Sequence, residues 1–148
     1  MGLEDQIRND MNGALKSGQK EKLSTLRTAL SQIKDERINK RKDLTDEDVI
    51  GVLMRAVKSR KDSIELYRKG GRQDLVDKET AEVELIQSYL PEQMPEDEVK
   101  KIIAEIVQSS GASDIKDIGK VMGPAMARLK GKADGKLVQQ IARSLLSS

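Results

Sequence analysis

The chain has 148 residues, with 27 Lys and Arg against 25 Asp and Glu, and its net charge of +2 is too small to name a partner by itself. It contains neither cysteine nor histidine, which excludes disulfides, thiol nucleophiles, zinc–thiolate sites and histidine acid–base chemistry. The only aromatics are Tyr67 and Tyr89, so a core must come from Leu, Ile, Val, Met and Ala, the side chains that fill helix–helix interfaces.

Apolar residues recur at helical spacing almost throughout. Leu3, Ile7, Met11 and Leu15 form a stripe at steps of four, closed by Ser17-Gly18. Leu23, Leu26, Leu30 and Ile33 carry a second stripe, which fades into "KDERINKRKD". Thr45, followed by Asp46, Glu47 and Asp48, reads as a helix start with an N-cap and acids in the first turn. Val49, Val52, Leu53, Ala56 and Val57 follow, and this helix runs past Tyr67 to Gly70-Gly71. A fourth helix spans about Gln73 to Leu90, and Pro91 and Pro95 bracket a break.

Beyond the break, Pro95 suits the first turn of a helix that buries Val99, Ile102, Ile103, Ile106 and Val107 and stops at Ser109-Ser110-Gly111. Ser113-Asp114 caps the next, in which Ile115, Ile118, Val121, Met122, Ala125, Met126 and Leu129 step by three or four. Pro124 removes the bond to the Lys120 carbonyl, which predicts a kink at Gly123-Pro124 or a helix restarting with Pro124 in its first turn. Gly131 is a helix stop, and Asp134-Gly135 starts a last helix with Leu137, Val138, Ile141, Leu145 and Leu146 inward. No strand pattern and no fixed-period repeat occurs. The expectation is an all-α fold: a long-helix N-terminal subdomain of about four helices (1–90), a proline-bracketed junction (91–95) and a small three-helix bundle (96–148). No apolar run approaches the roughly 18 residues of a membrane span. The start, "MGLEDQ", is acidic rather than basic, and Gln6 stands where a myristoylation signal needs Ser or Thr, so a cytoplasmic protein without membrane contact is expected.

Candidate chemistry is sparse. Asp46-Glu47-Asp48 and Glu96-Asp97-Glu98 contain the ligands Mg²⁺ prefers, but both sit in a predicted first turn, where acids offset the helix dipole without any metal. "EVELIQSYLPEQ" brings Glu82, Glu84, Ser88 and Tyr89 close together, yet nothing nearby supplies a base for a serine nucleophile, and Tyr89 and Leu90 read as the apolar end of helix four. No catalytic residue, metal or cofactor is assigned. Lys34, Arg37, Lys40, Arg41 and Lys42 close helix two, where cations favour the dipole, and Arg55, Lys58, Arg60 and Lys61 follow on helix three.

The sharpest asymmetry lies in the second part. Residues 91–118 carry three Lys against seven Asp and Glu, a balance of −4, whereas residues 119–148 carry six Lys and Arg against Asp134 alone, a balance of +5. A basic, glycine-containing patch with no aromatic suits phosphate backbones better than stacked bases. The Gly-Lys pairs at 119, 131 and 135 are not nucleotide loops. The positions five earlier hold Asp114, Met126 and Lys130, and the residues after the pairs are Val121, Ala133 and Leu137. Gly119, Gly123 and Ala127 fall four apart as a smooth strip on which a second helix could sit. The loop Lys130–Asp134, flanked by Lys136, offers exposed amides beside lysines for an anion; on spacing alone a tight turn with solvated lysines is the stronger reading.

Four blocks, "RKDSIE" (60–65), "LVDKE" (75–79), "YLPEQM" (89–94) and "GKVMG…LKGKADG" (119–135), resemble the YqeY family along the chain. The last block also resembles the tail domain of GatB, a subunit of the glutamine-dependent amidotransferase acting on mischarged tRNA. Its pattern is matched by Gly119, Val121, Met122, Lys130, Gly131, Lys132 and Ala133, while Asp134-Gly135 stands where that tail often reads Asn-Pro. The resemblance implies an all-helical fold and a tRNA contact made away from any catalytic cradle; the large catalytic domain is missing from this chain. The first expectation is a non-catalytic tRNA-binding module in which Lys120, Arg128, Lys130, Lys132 and Lys136 touch phosphates and Gly131 lets the backbone come near. The alternative is an adaptor docking on an amidotransferase or aminoacyl-tRNA synthetase through Gly119, Gly123 and Ala127. A carbon–nitrogen ligase with glutamine as amido donor is the third and weakest, since a chain without Cys or His must improvise its nucleophile and base.

Overall fold

The computed structural model describes residues 2–147. Among them are seven α-helices, one 3₁₀ turn and no strand, an all-α fold as the spacing predicts. The chain divides between Leu90 and Pro91 into two compact units.

The first unit holds α1 (Leu3–Ser17), α2 (Lys20–Lys40), α3 (Asp46–Lys69) and α4 (Gln73–Gln87). Its core is aliphatic, centred on Ile7, Leu26, Ile33, Leu53 and Ile86. α1 ends where glycine can take the left-handed conformation, Gly18 at φ 73°. The stripe expected on α1 drifts, however. Leu15 is 55% exposed and Ala14 is buried at 2%. With 3.6 residues per turn, each step of four overshoots by roughly 40°, so Leu15 has rotated off the line begun by Leu3, whereas Ala14 lies about two full turns from Ile7.

The apolar stripe of α2 fades beyond Ile33, but the helix continues to Lys40 as its closing cations predict; there Arg41 turns left-handed at φ 54° and its amide bonds to the Arg37 carbonyl at 2.9 Å. Its polar end is held by neighbouring helices. Arg37 donates to Glu4 of α1, Arg55 of α3 donates to Glu36 at 2.9 Å, and Lys40 reaches Asp48 of α3 at 3.0 Å. α3 begins with a reciprocal cap: the Asp48 amide donates to Thr45 Oγ1 at 3.2 Å and the Thr45 amide donates to Asp48 Oδ2 at 3.0 Å. Asp46 Oδ1 accepts from the Leu3 amide at 3.1 Å, so the acidic cluster at 46–48 is engaged in capping and tying helices together. α4 stops at Gln87, not Leu90. The Tyr89 and Leu90 amides make tighter bonds three residues back, to Ile86 and Gln87, because Pro91 disfavours helical geometry in the residue before it. The Tyr89 ring packs on the first unit's core and its hydroxyl donates to Asp10. Burial first, then that bond, push the Tyr89 phenol well above its usual range.

The second unit holds α5 (Glu96–Ser110), a 3₁₀ turn (Ile115–Asp117), α6 (Ile118–Leu129) and α7 (Gly135–Ser147). Val99, Ile103, Val121, Leu129 and Val138 are fully buried at its centre. Pro95 precedes α5, and Gly111 ends it at φ 74°. Asp114 caps the 3₁₀ turn rather than an α-helix, its Oδ1 accepting from the Lys116 amide at 2.7 Å. Ile115 consequently lies outside the inward stripe, 44% exposed, and on α7 Leu145 is 38% exposed while Ala142 is buried. Pro124 sits inside an α6 that does not restart. Pro124, Lys120 and Gly123 are all exposed, so the bond that Pro124 cannot donate to the Lys120 carbonyl is lost on the solvent side of the helix, where a missing partner costs least.

Two predictions follow from the α3 cap. Thr45→Ala removes one side-chain acceptor and is expected to cost about 1 kcal/mol in a urea unfolding titration. The Thr45 amide first, and then Lys40, hold the Asp48 carboxyl well below its ordinary range. A depressed folded-state pKa stabilises at pH values above the ordinary carboxylate range and loses that contribution as pH falls through it. The stability gap between the wild type and Asp48→Asn should therefore be full at neutral pH and narrow steadily below about pH 4.

Candidate functional site

The residues expected to meet RNA gather around the corner between α6 and α7. Lys120 lies in the first turn of α6 and Arg128 in its last, Lys130 and Lys132 in the connecting turn, and Lys136 in the first turn of α7. The turn closes because Gly131 takes φ 79°, a conformation that costs an L side chain about 1–2 kcal/mol. Gly131 itself is buried, and its carbonyl accepts from Gln93 Nε2 at 2.8 Å. The neighbouring Lys132 carbonyl accepts from the Met94 amide at 2.9 Å. The "PEQM" segment thus braces the turn from behind, and Gly131 serves the turn instead of lying open to a phosphate.

The expected exposed amides are also absent from most of this loop. The Lys130 amide bonds to the Met126 carbonyl at 2.9 Å, and the Lys132 and Ala133 amides to the Leu129 carbonyl at 2.9 and 3.1 Å. The Lys136 amide makes a long 3.4 Å contact to Asp134 Oδ1. What the corner offers outward is side-chain charge. Lys132 and Lys136 are exposed, and among the described residues no carboxylate comes within 4.0 Å of either ammonium. Lys120 pairs with Asp117 at 3.6 Å, and Arg128 with Glu105 at 3.7 Å. The Ser113 amide first, then Lys120, hold the Asp117 carboxyl below its usual range against partial burial.

Gly119, Gly123 and Ala127 lie on the exposed side of α6. A Cβ added at Gly119 or Gly123 would meet nothing within 4 Å, so among the described residues of the second unit no helix packs at those two positions. The strip is an open surface of α6.

Sequence reasoning missed a charged cluster in the first unit. Arg60, with its side chain only 13% exposed, stands 3.2 Å from Glu82 and 4.0 Å from Glu79, and its guanidinium also donates to the Ala56 carbonyl at 3.2 Å. Burial, then the nearby Glu82, raise the Glu79 pKa against the pull of Arg60. Arg60 opens the "RKDSIE" block and Glu79 closes "LVDKE", but their pairing needs α3 and α4 folded back on one another, which no local spacing displays. The cluster locks those two helices. Among the described residues no group of three or more acids is arranged to hold a metal ion.

No described helix is long and apolar enough to cross a membrane. The chain is 38% identical over 90 residues to an uncharacterized protein of Schizosaccharomyces pombe, covering 61% of this chain and 73% of that one. It is 32% identical over 119 residues to the protein named altered inheritance of mitochondria protein 41, mitochondrial, of Vanderwaltozyma polyspora, covering 76% of this chain and 64% of that relative. A shorter stretch of 54 residues is 44% identical to a glutamyl-tRNA(Gln) amidotransferase subunit of Thermococcus gammatolerans, covering 34% of this chain and 9% of that protein. The profile of the Yqey-like protein family matches residues 4–146, through both helical units, and the chain belongs to that family.

Proposed function

We propose that the chain is a non-catalytic tRNA-binding module that holds RNA phosphates on the basic corner between α6 and α7. The observation that carries this reading is the pair Lys132 and Lys136, exposed and without a carboxylate within 4.0 Å among the described residues, set beside Lys130. Lys120 and Arg128 extend the patch from surface ion pairs worth about 0–1 kcal/mol each, which phosphates can replace at little cost. The stretch shared with an amidotransferase subunit named for glutamyl-tRNA supports tRNA as the polyanion. Since the Lys130, Lys132 and Ala133 amides are bonded within the turn, contacts come mainly from ammonium and guanidinium groups, which position a backbone without reading bases. The reading needs a compartment that holds tRNA, which the cytoplasm expected from the sequence and the mitochondrion in the fungal relative's name both do.

A second reading, a protein adaptor docking on an amidotransferase or synthetase, draws on the open Gly119, Gly123 and Ala127 strip. The two separate in a pull-down from nuclease-treated lysate, which only a protein partner survives. Release of ammonia from glutamine by the purified chain would overturn the non-catalytic part.

In gel-shift titrations against bulk tRNA, affinity is expected to fall steeply with salt. Lys132→Gln/Lys136→Gln should make the slope of log affinity against log salt shallower by about 1.5, while Gln substitutions at the paired Lys120 and Arg128 change it less. Wild-type affinity and slope in the Lys132/Lys136 variant would sink the proposal.

A further inference from the structure

The first unit has its own cleft, separate from the basic corner. It measures about 500 Å³ and is lined by the opening turns of α2 and one face of α4. That volume is in the range of small-molecule sites, roughly 300–1,000 Å³. We propose that this cleft binds a small organic anion, a carboxylate or phosphate monoester carrying a short hydrocarbon body.

Three ammonium groups border it, Lys20 and Lys22 from α2 and Lys78 from α4. Lys22 is half-buried, and among the described residues no carboxylate lies within 4.0 Å of any of the three. Of the acids that line the cleft, Glu82 on α4 already faces Arg60 at 3.2 Å. Glu21, the other acid on the rim, lies in the first turn of α2, where the dipole holds it. That helix starts at Gln19 with no side-chain cap, so its positive end adds to the lysines. The Thr25 hydroxyl is turned back to the Glu21 carbonyl at 3.1 Å and is not offered to a ligand. Ser24 also lines the cleft, and Leu85 and Ala81 give a hydrocarbon body an apolar surface to cover. Cationic rim and apolar wall together select an amphipathic anion over inorganic phosphate. Carboxylate and phosphate monoester satisfy the same ammonium groups, and the experiment tells them apart.

The test is an amide NMR titration of the full chain with hexanoate, hexyl phosphate and inorganic phosphate in turn. Saturable shifts confined to residues 19–25 and 78–85 are expected with at least one hexyl ligand, and that ligand should bind more tightly than inorganic phosphate. Lys22→Gln/Lys78→Gln should weaken it by about tenfold or more while leaving the remaining amide spectrum in place. Lys78→Gln alone, at an exposed position, is the second variant should the double one fold poorly. Shifts that fail to saturate, that fall equally on residues 120–136, or that persist unchanged in the variants would overturn the proposal. Because this cleft lies in the first unit, failure of the cleft proposal leaves the tRNA reading of the second standing, and that reading is tested separately by the gel shift.

Discussion

Everything in this molecule depends on closing two cores with aliphatic side chains alone. With no Phe or Trp, no core side chain brings the bulk of those residues, and Tyr89 is only partly buried. Each unit must instead bring branched chains from three or four helices to one point, as Ile7, Leu26, Ile33 and Leu53 do in the first. Such a core is sensitive to helix rotation, because a turn of a few tens of degrees exchanges an Ile for a charged neighbour. Rotation is therefore fixed from outside the core. Glu4–Arg37, Glu36–Arg55, Lys40–Asp48 and Arg60–Glu82 each join two different helices of the first unit. Single surface pairs stabilise little, but a set of pairs spanning α1 to α4 selects one phase for every helix.

The same pairs explain why the near-neutral net charge hides a division of labour. In the first unit Arg37, Lys40, Arg55 and Arg60 are engaged with carboxylates of neighbouring helices. In the second, six basic residues follow position 119 against one acid, and Lys132 and Lys136 have no carboxylate within 4.0 Å among the described residues. Near-equal counts of charge thus conceal which cations are engaged: Arg37, Lys40, Arg55 and Arg60 face carboxylates, whereas Lys20, Lys22 and Lys78 of the first unit, like Lys132 and Lys136 of the second, have none within 4.0 Å among the described residues. Whole-chain charge says nothing about this; the partners of individual cations do.

Helix existence was legible from spacing and caps: Thr45, Gly18, Gly111 and Pro95 mark ends or starts where the helices do end or start. Rotational phase was less so. Leu15 and Leu145 fit an inward stripe on paper, but steps of four drift around a helix of 3.6 residues per turn, and Ala14 and Ala142 take the buried positions. What holds the polar end of α2 was hidden, because its last two turns are braced by partners on α1 and α3, far away in sequence. At the corner, the identity of the lysines could be read, but not the state of the amides. Whether a turn N–H is free depends on bonds back to Leu129 and Met126 that form only when the turn closes. Arg60 was invisible as a lock for the same reason, since its acids lie on the returning helix.

The block "LKGKADG" then separates into two layers with different meanings. Leu129, Gly131 and Ala133 are buried and set the shape of the turn, with Gly131 supplying the left-handed residue and Leu129 accepting two amides. Lys130 and Lys132, with Lys136 just beyond the block, are exposed and form its outer, cationic layer. A match in the buried layer between this chain and any other argues for the same corner of the same fold. Only a match in the lysines bears on the proposed polyanion contact, because a phosphate is met by cationic charge and the buried layer carries none. The glycines of this stretch are therefore evidence about architecture, and the functional reading stands or falls on the cations beside them.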